Sequence, residues 1–166
     1  MAHTRDVGCA MEITGRAGGG FPYRIQVLVN GAHQKFSRNW RSWWVTTLNM
    51  TSKGCTIAQQ FSFLPLSDAK TQEIADTIAS FPNGTIFGGA IDDTYDTMTT
   101  TRKNILAEEF GKLGVDVHRL RYESTMVFIC KKGEPSFTLY RVIWESADIL
   151  EIARIIKSFH RGMYHC

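Results

Sequence analysis

Two stretches of the chain are apolar at nearly every position: residues 85–91 (TIFGGAI) and residues 125–130 (TMVFIC). A strand that is apolar on both faces is covered on both faces, so these runs predict interior strands. The first follows the turn Pro82-Asn83-Gly84, and the second runs into the basic turn Lys131-Lys132-Gly133. Within the first, Gly88, Gly89 and Ala90 leave room for another element to approach closely. Elsewhere the pattern alternates. In residues 23–30 (YRIQVLVN), Ile25, Val27 and Val29 share one face while Arg24, Gln26 and Leu28 share the other. That is a half-buried strand, closed by the turn pair Asn30-Gly31. Residues 43–48 and 56–61 are β-rich runs on either side of residues 49–54, a hairpin signal with Gly54 at the left-handed position. Residues 11–14 read as a brief strand, residues 15–20 as a glycine-rich turn, and residues 1–10 as a loose arm or a short edge strand. Residues 115–120 and 137–144 complete the predicted strands.

Three segments carry helical spacing. Ser67 or Asp68 caps a helix through about Ser80, with Ile74, Ala75, Ile78 and Phe81 as its stripe. A second helix covers residues 95–112. Its inner face holds Met98, Ile105, Leu106, Phe110 and Leu113, with Arg102 as the exception, and Gly114 ends it. Ser146 caps a third, with Ile149, Ile152, Ala153, Ile156 and Phe159 inward. The predicted fold class is therefore α+β: antiparallel sheets flanked by about three helices, in a single domain. Residues 1–10 form its arm, residues 11–134 its body, and residues 135–166 a strand-and-helix extension packed on the same body.

With 166 residues, 43% of them hydrophobic, the chain has enough apolar surface for a sizeable core. The net charge of +3 is small, and Lys and Arg are dispersed, which argues against a nucleic-acid partner. No stretch approaches the ~20 apolar residues of a membrane span. The opening residues, MAHTRDVGC, lack the apolar run of a signal peptide. Either a signal was removed ahead of the numbering or the chain never enters a secretory route, and Met1 favours the second. The four cysteines, Cys9, Cys55, Cys130 and Cys166, include no CxxC, which excludes a zinc ribbon or thioredoxin-type site. Two disulfides are arithmetically open. Because Cys55 and Cys130 fall in strand-like runs, free thiols are the expectation.

The candidate chemistry is sparse. Asp92, Asp93 and Asp96 form the string DDxxD. At a helix start such carboxylates serve as caps and complement the macrodipole. They also suit sugar hydroxyls as acceptors, and in another context they would hold a metal ion. Arg121 joins these three as a ligand-binding candidate. Arg38, Trp40, Arg41, Trp43 and Trp44 make an aromatic–basic cluster of the composition enriched at interfaces. Adjacent positions on a strand face opposite ways, so one of Trp43 and Trp44 is expected in the core and the other at an interface. His160, His165 and Cys166 stand near the terminus without a partner cluster, so no metal site is assigned. Asn49-Met50-Thr51 and Asn83-Gly84-Thr85 are glycosylation sequons, the second already explained by its turn. No nucleophile elbow or triad motif occurs, and the glycines at 15–20 do not make a dinucleotide fingerprint. The chain is expected to be no enzyme and to need no cofactor.

One order of motifs links these pieces: MEITGRAGGG, YRIQVLVNG, RSWWVTTLNMTSKG, QQFSF, PNGTIF, the Asp92-Asp93 pair, Leu113-Gly114 and MVFICKKG. Over residues 11–133 this resembles the ILEI/PANDER domain, named for the interleukin-like inducer of epithelial–mesenchymal transition. The chain departs from the family pattern at Met126, where Trp is usual. It departs also at Glu123-Ser124, where Arg-Asp is usual, and at Ser62, where an aspartate follows the aromatic. The resemblance implies recognition rather than catalysis. Animal members are secreted signalling proteins, one similar domain is a glycan-binding stem, and similar domains occur in phage tail proteins. Asp92 aligns with the acidic position of the stem domain, while Gln60 and Glu123 stand where its basic partners would be. The secreted members' cysteine pattern is not reproduced. The resemblance thus implies a virion protein of a phage tail or tail fibre. Such a protein would contact a host-surface glycan or receptor, or neighbouring virion subunits in an oligomeric assembly. The alternative is a secreted, cytokine-like or glycan-binding domain.

Overall fold

The structure, a computed structural model, describes residues 8–16, 25–34, 43–63, 67–91, 99–120, 124–144 and 152–160. Among the described residues, nine strands and two α-helices follow one another. They are β1 (Cys9–Arg16), β2 (Ile25–Val29), β3 (Ala32–His33), β4 (Trp43–Thr51), β5 (Gly54–Phe63), α1 (Asp68–Ser80) and β6 (Ile86–Ile91). After these come α2 (Thr100–Lys112), β7 (Ser124–Lys131), β8 (Leu139–Trp144) and β9 (Ile152–Phe159). The strands make a four-stranded sheet in the order β3-β2-β1-β9 and a five-stranded sheet in the order β5-β4-β6-β7-β8. Every pairing is antiparallel.

The five-stranded sheet is the middle of three layers. One face packs on the small sheet through Met11, Ile13, Val27, Ala90, Val127, Ile129 and Ile155. The other face packs on the helices through Trp43, Ile78, Phe87, Leu106, Phe110 and Phe128. Every residue of β6 is buried, as is all of β7 but its last. This is why the two strands read as uninterrupted apolar runs. Gly88 lies directly against the small sheet. A β-carbon there would lie 2.5 Å from Ile13 Cδ1 and 2.8 Å from Met11 Cε, so a side chain would force those two side chains to repack.

Several expectations hold in detail. Ser67 caps α1, its Oγ accepting from the Lys70 backbone N–H at 3.1 Å, and Ile74, Ala75 and Ile78 are buried. Asn30 and Gly31 have φ of 50° and 78°, the paired positive values of a tight hairpin turn between β2 and β3. Gly54, at φ 117°, turns β4 into β5, and Gly114, at φ 79°, ends α2.

The fold class needs correction. The described residues are mostly β, with two antiparallel sheets and two α-helices rather than about three. Of the segment expected to form the third helix, Ser146 and Ile149 lie outside the described residues, and the described part is β9, which pairs residue for residue along the whole of β1, from Cys9↔Phe159 to Arg16↔Ile152. The helical stripe placed Ile156 inward, yet Ile156 is 53% exposed while Ile155 and Phe159 are buried. β9 supplies the hydrogen-bonding partner on the side of β1 away from β2, which a helix could not do. Residues 115–120 are not a strand. Val117–Arg119 forms a single 3-10 turn, capped by Asp116 Oδ1 accepting from the His118 N–H, with Val115, Val117 and Leu120 packed under α2. The described part of the second helix starts at Thr100. Thr99 is extended and its hydroxyl accepts from the Arg102 N–H.

The cysteine expectation also changes. Cys9 and Cys55 form a disulfide with Cα atoms 5.6 Å apart, joining the start of β1 to the start of β5 and so the small sheet to the large one. Both belong to the layer between the sheets. Beside them, Asn30 Oδ1 accepts from the Ala10 N–H at 2.7 Å, and Asn30 Nδ2 lies 3.8 Å from Cys55 Sγ. Cys130 is a buried free thiol, as expected. Cys166 lies outside the described residues.

Candidate recognition end of the central sheet

The register of the five-stranded sheet brings strand ends to a common level. Trp43 at the start of β4 pairs with Phe63 at the end of β5 and with Ile91 at the end of β6. Ile91 pairs with Met126, and Ser124 at the start of β7 pairs with Trp144 at the end of β8. The small sheet contributes to the same end. Gly15, near the end of β1, lies against Thr125 and Val127, and it pairs with Ala153 near the start of β9. At the opposite end lie the β4–β5 turn, Asn30-Gly31, Lys132-Gly133 and the disulfide.

The helices point the same way. The C-terminal part of α1 is held at the opposite end by Lys132, whose Nζ donates to the Ile78 carbonyl at 2.7 Å. Lys132 also lies 3.8 Å from Glu109, near the end of α2. Both helices therefore start at the end where β5 and β6 finish. Between their first turns, Arg102 Nε donates to Asp68 Oδ1 at 3.0 Å. This pair explains the one charged position on the inner stripe of α2. With Asp68 more than half exposed, its contribution to stability is small.

Asp92, Asp93 and Asp96 follow Ile91, Arg121 lies between Leu120 and Ser124, and Arg38, Trp40 and Arg41 precede Trp43. All seven lie outside the described residues. What the fold establishes is that the strand ends carrying the three groups are neighbours, through Trp43↔Ile91 and Ile91↔Met126. Trp43 and Trp44 do face opposite sides of the sheet, but both are buried, at 1% and 7% exposure. Trp43 belongs to the helix-side core, and among the described residues its Nε1 has no hydrogen-bond acceptor. Trp44 pairs with Ala90, on the face turned to the small sheet.

Among the described residues, no group of three or more His, Cys, Asp or Glu is placed to hold a metal ion. Among the described residues, Cys130 is the nucleophile whose acidity its surroundings change most. Burial pushes its thiol up to about 12, against the smaller opposing effect of a hydrogen bond with Thr138. A thiol held protonated in a dry core is inert. At the sheet edge, Arg154 is raised above its ordinary value by its hydrogen bond to Glu12 and by the charge of that carboxylate.

The disulfide escaped sequence reasoning because its cysteines are 46 positions apart and meet only when the two sheets stack. The available signal was positional, since Cys9 lies just ahead of a strand and Cys55 directly after the turn glycine. Compared with known proteins, the chain matches no protein-family model and no curated protein.

Proposed function

We propose that the chain is a non-enzymatic recognition or assembly module that engages its partner at the end of the central sheet where β4, β6 and β7 meet. The observation that carries this reading is the register. It makes neighbours of the strand ends that lead into Arg38-Asn39-Trp40-Arg41, Asp92-Asp93 and Arg121. Loops gathered at one end of a rigid β-sandwich are a common way to present binding residues. Carboxylates accept hydrogen bonds from sugar hydroxyls, while arginine and tryptophan supply donors and a stacking surface. Together with the resemblance to ILEI/PANDER domains, this supports a virion component of a phage tail that contacts a host-surface glycan or receptor, or neighbouring virion subunits.

A second reading is a secreted recognition domain, and the Cys9–Cys55 disulfide favours it. Disulfides persist in oxidising settings, which include both extracellular fluid and virion surfaces. Mass spectrometry of purified particles against cell-free medium separates the two readings. Recovery in the particle supports the first, and recovery only in the medium supports the second. The site itself is tested by binding of the oxidised chain to a glycan array and to intact host cells. Asp93→Asn combined with Arg121→Ala should lower binding about tenfold or more, as loss of charged contacts does. Lys53→Ala, at the opposite end, should leave it unchanged. Equal effects from the two changes would remove the assignment.

A further inference from the structure

Among the described residues the two sheets have four edge strands, and three of them are either very short or carry charge. β3 is two residues long. β8 carries the exposed Arg141. β9 carries Arg154 and also Lys157, which turns inward, its ammonium 4.2 Å above the Phe137 ring and donating to the Phe137 carbonyl. An inward-turned charge on an edge strand is a recognised obstacle to further pairing.

β5 is different. It runs ten residues, GCTIAQQFSF, with no charged residue and no proline. Ala58, Gln59 and Gln60 are consecutively exposed, so neither the small sheet nor the helix layer covers the strand there. A bulge interrupts its ladder with β4, where Thr47 pairs with Gln59 and Leu48 with Ile57, leaving Ala58 as the extra residue. The bulge also exchanges the faces. Cys55 and Ile57 pack toward the small sheet, while Phe61 and Phe63 pack toward the helices. Beyond it, residues 59–63 form a regular ladder from Thr47↔Gln59 to Trp43↔Phe63. Phe61 is half-buried, 6.3 Å from the Phe63 ring and 5.9 Å from Phe81. It is the outer end of a line of touching rings that continues through Phe81, Phe87, Phe128 and Phe110.

We propose that β5 pairs antiparallel with β5 of a second copy, about a two-fold axis at Phe61, joining two central sheets into one. The occupant follows from the strand itself. An open edge offers a row of backbone donors and acceptors that only another extended chain can match. Under this axis Gln59 lies opposite Phe63, Gln60 opposite Ser62, and Phe61 opposite Phe61. Every pair is uncharged and its members point to the same face, so the segment is complementary to itself, as an isologous dimer requires. The Phe61 rings, half-open in one copy, would cover each other. The pairing is independent of whatever binds at the loop end.

The test is sedimentation velocity of the full, oxidised chain up to about 300 µM, a range that reveals association even near ~100 µM. The unaltered chain should form a dimer. Gln60→Lys with Ser62→Lys sets lysine opposite lysine at both symmetry-related pairs and should weaken association about tenfold or more. Gln60→Lys with Ser62→Glu sets lysine opposite glutamate and should restore it. Gln60 and Ser62 are exposed, and thermal melts check that each variant keeps the fold. Amide exchange of the unaltered chain gives a reading that needs no variant, since protection of residues 59–63 should rise with concentration. A chain that stays monomeric, a double-lysine variant that associates like the parent, a lysine–glutamate variant as weak as the double lysine, or concentration-independent exchange would each overturn the proposal.

Discussion

Cys130 lies on β7, with helix-side core residues around it and the Thr138 side chain as its hydrogen-bond partner. Its thiol is raised from 9.0 to about 12 chiefly by burial, so below pH 9 the folded protein holds far less thiolate than the unfolded chain. Alkylation at pH 8, followed at the Cys130 peptide by mass spectrometry, should therefore be far slower in buffer than in denaturant. The sign for stability follows from the same shift. The protonated thiol is favoured in the folded state, so this contribution is complete below pH 9 and is lost as the pH rises from 9 toward 12. Denaturant melts across that interval check it, with Cys130→Ala as the reference that should lack this alkaline loss. Single residues were readable in the sequence where the local rule sufficed, as at Ser67, Asn30-Gly31 and Gly88. Trp43 and Trp44 show the boundary of that reading. Alternation assigns them to opposite faces, but that both faces are covered depends on layers assembled from distant parts of the chain.

At the scale of elements, residues 152–159 satisfied two periodicities at once. Ile152, Ile155, Ile156 and Phe159 fall at helical spacing, i, i+3, i+4 and i+7, whereas Ile155, Lys157 and Phe159 fall at the alternation of a strand. Only the free side of β1, far away in sequence, decides between them. The choice is testable because the two forms disagree about Ile156. Ile155→Ala should destabilise by about 2–4 kcal/mol, as truncation of a buried isoleucine does. Ile156→Thr should change stability by less than ~0.5 kcal/mol. Urea midpoints of the two variants give the answer, and a large loss at Ile156 with little at Ile155 would restore the helix. Interior strands were the easiest elements to read because β6 and β7, covered on both faces, leave no polar side to confuse the pattern. Val117–Arg119 reads as a strand because Val115 and Val117 alternate, but the third apolar residue, Leu120, comes three positions after Val117, a spacing that suits a turn tucked under α2.

For the whole molecule, the Cys9–Cys55 bond is the covalent tie between the sheets. Closing a loop of 46 positions restricts the unfolded chain, and replacing both cysteines by serine should lower stability by about 3–5 kcal/mol. Melts of the oxidised chain with and without reductant should show a loss of the same order, and an unchanged midpoint would mean that packing alone holds the small sheet. In the sequence the candidate site residues are two clusters, the carboxylates from Asp92 and the arginines and tryptophans from Arg38, and one separate arginine, Arg121. Their adjacency was not readable there, because it arises from antiparallel register across β4, β6 and β7. The pairing of β1 with β9 has a mechanical meaning as well. The chain enters β1 at Cys9 and leaves β9 at Phe159, and these two residues face each other. Tension applied between the segments flanking that pair would open the ladder one hydrogen bond at a time, like a zipper, instead of shearing all of it together. Because Cys9 is anchored through its sulfur to the central sheet, β9 would peel first. The three-layer body behind it would bear load only after the last strand had gone.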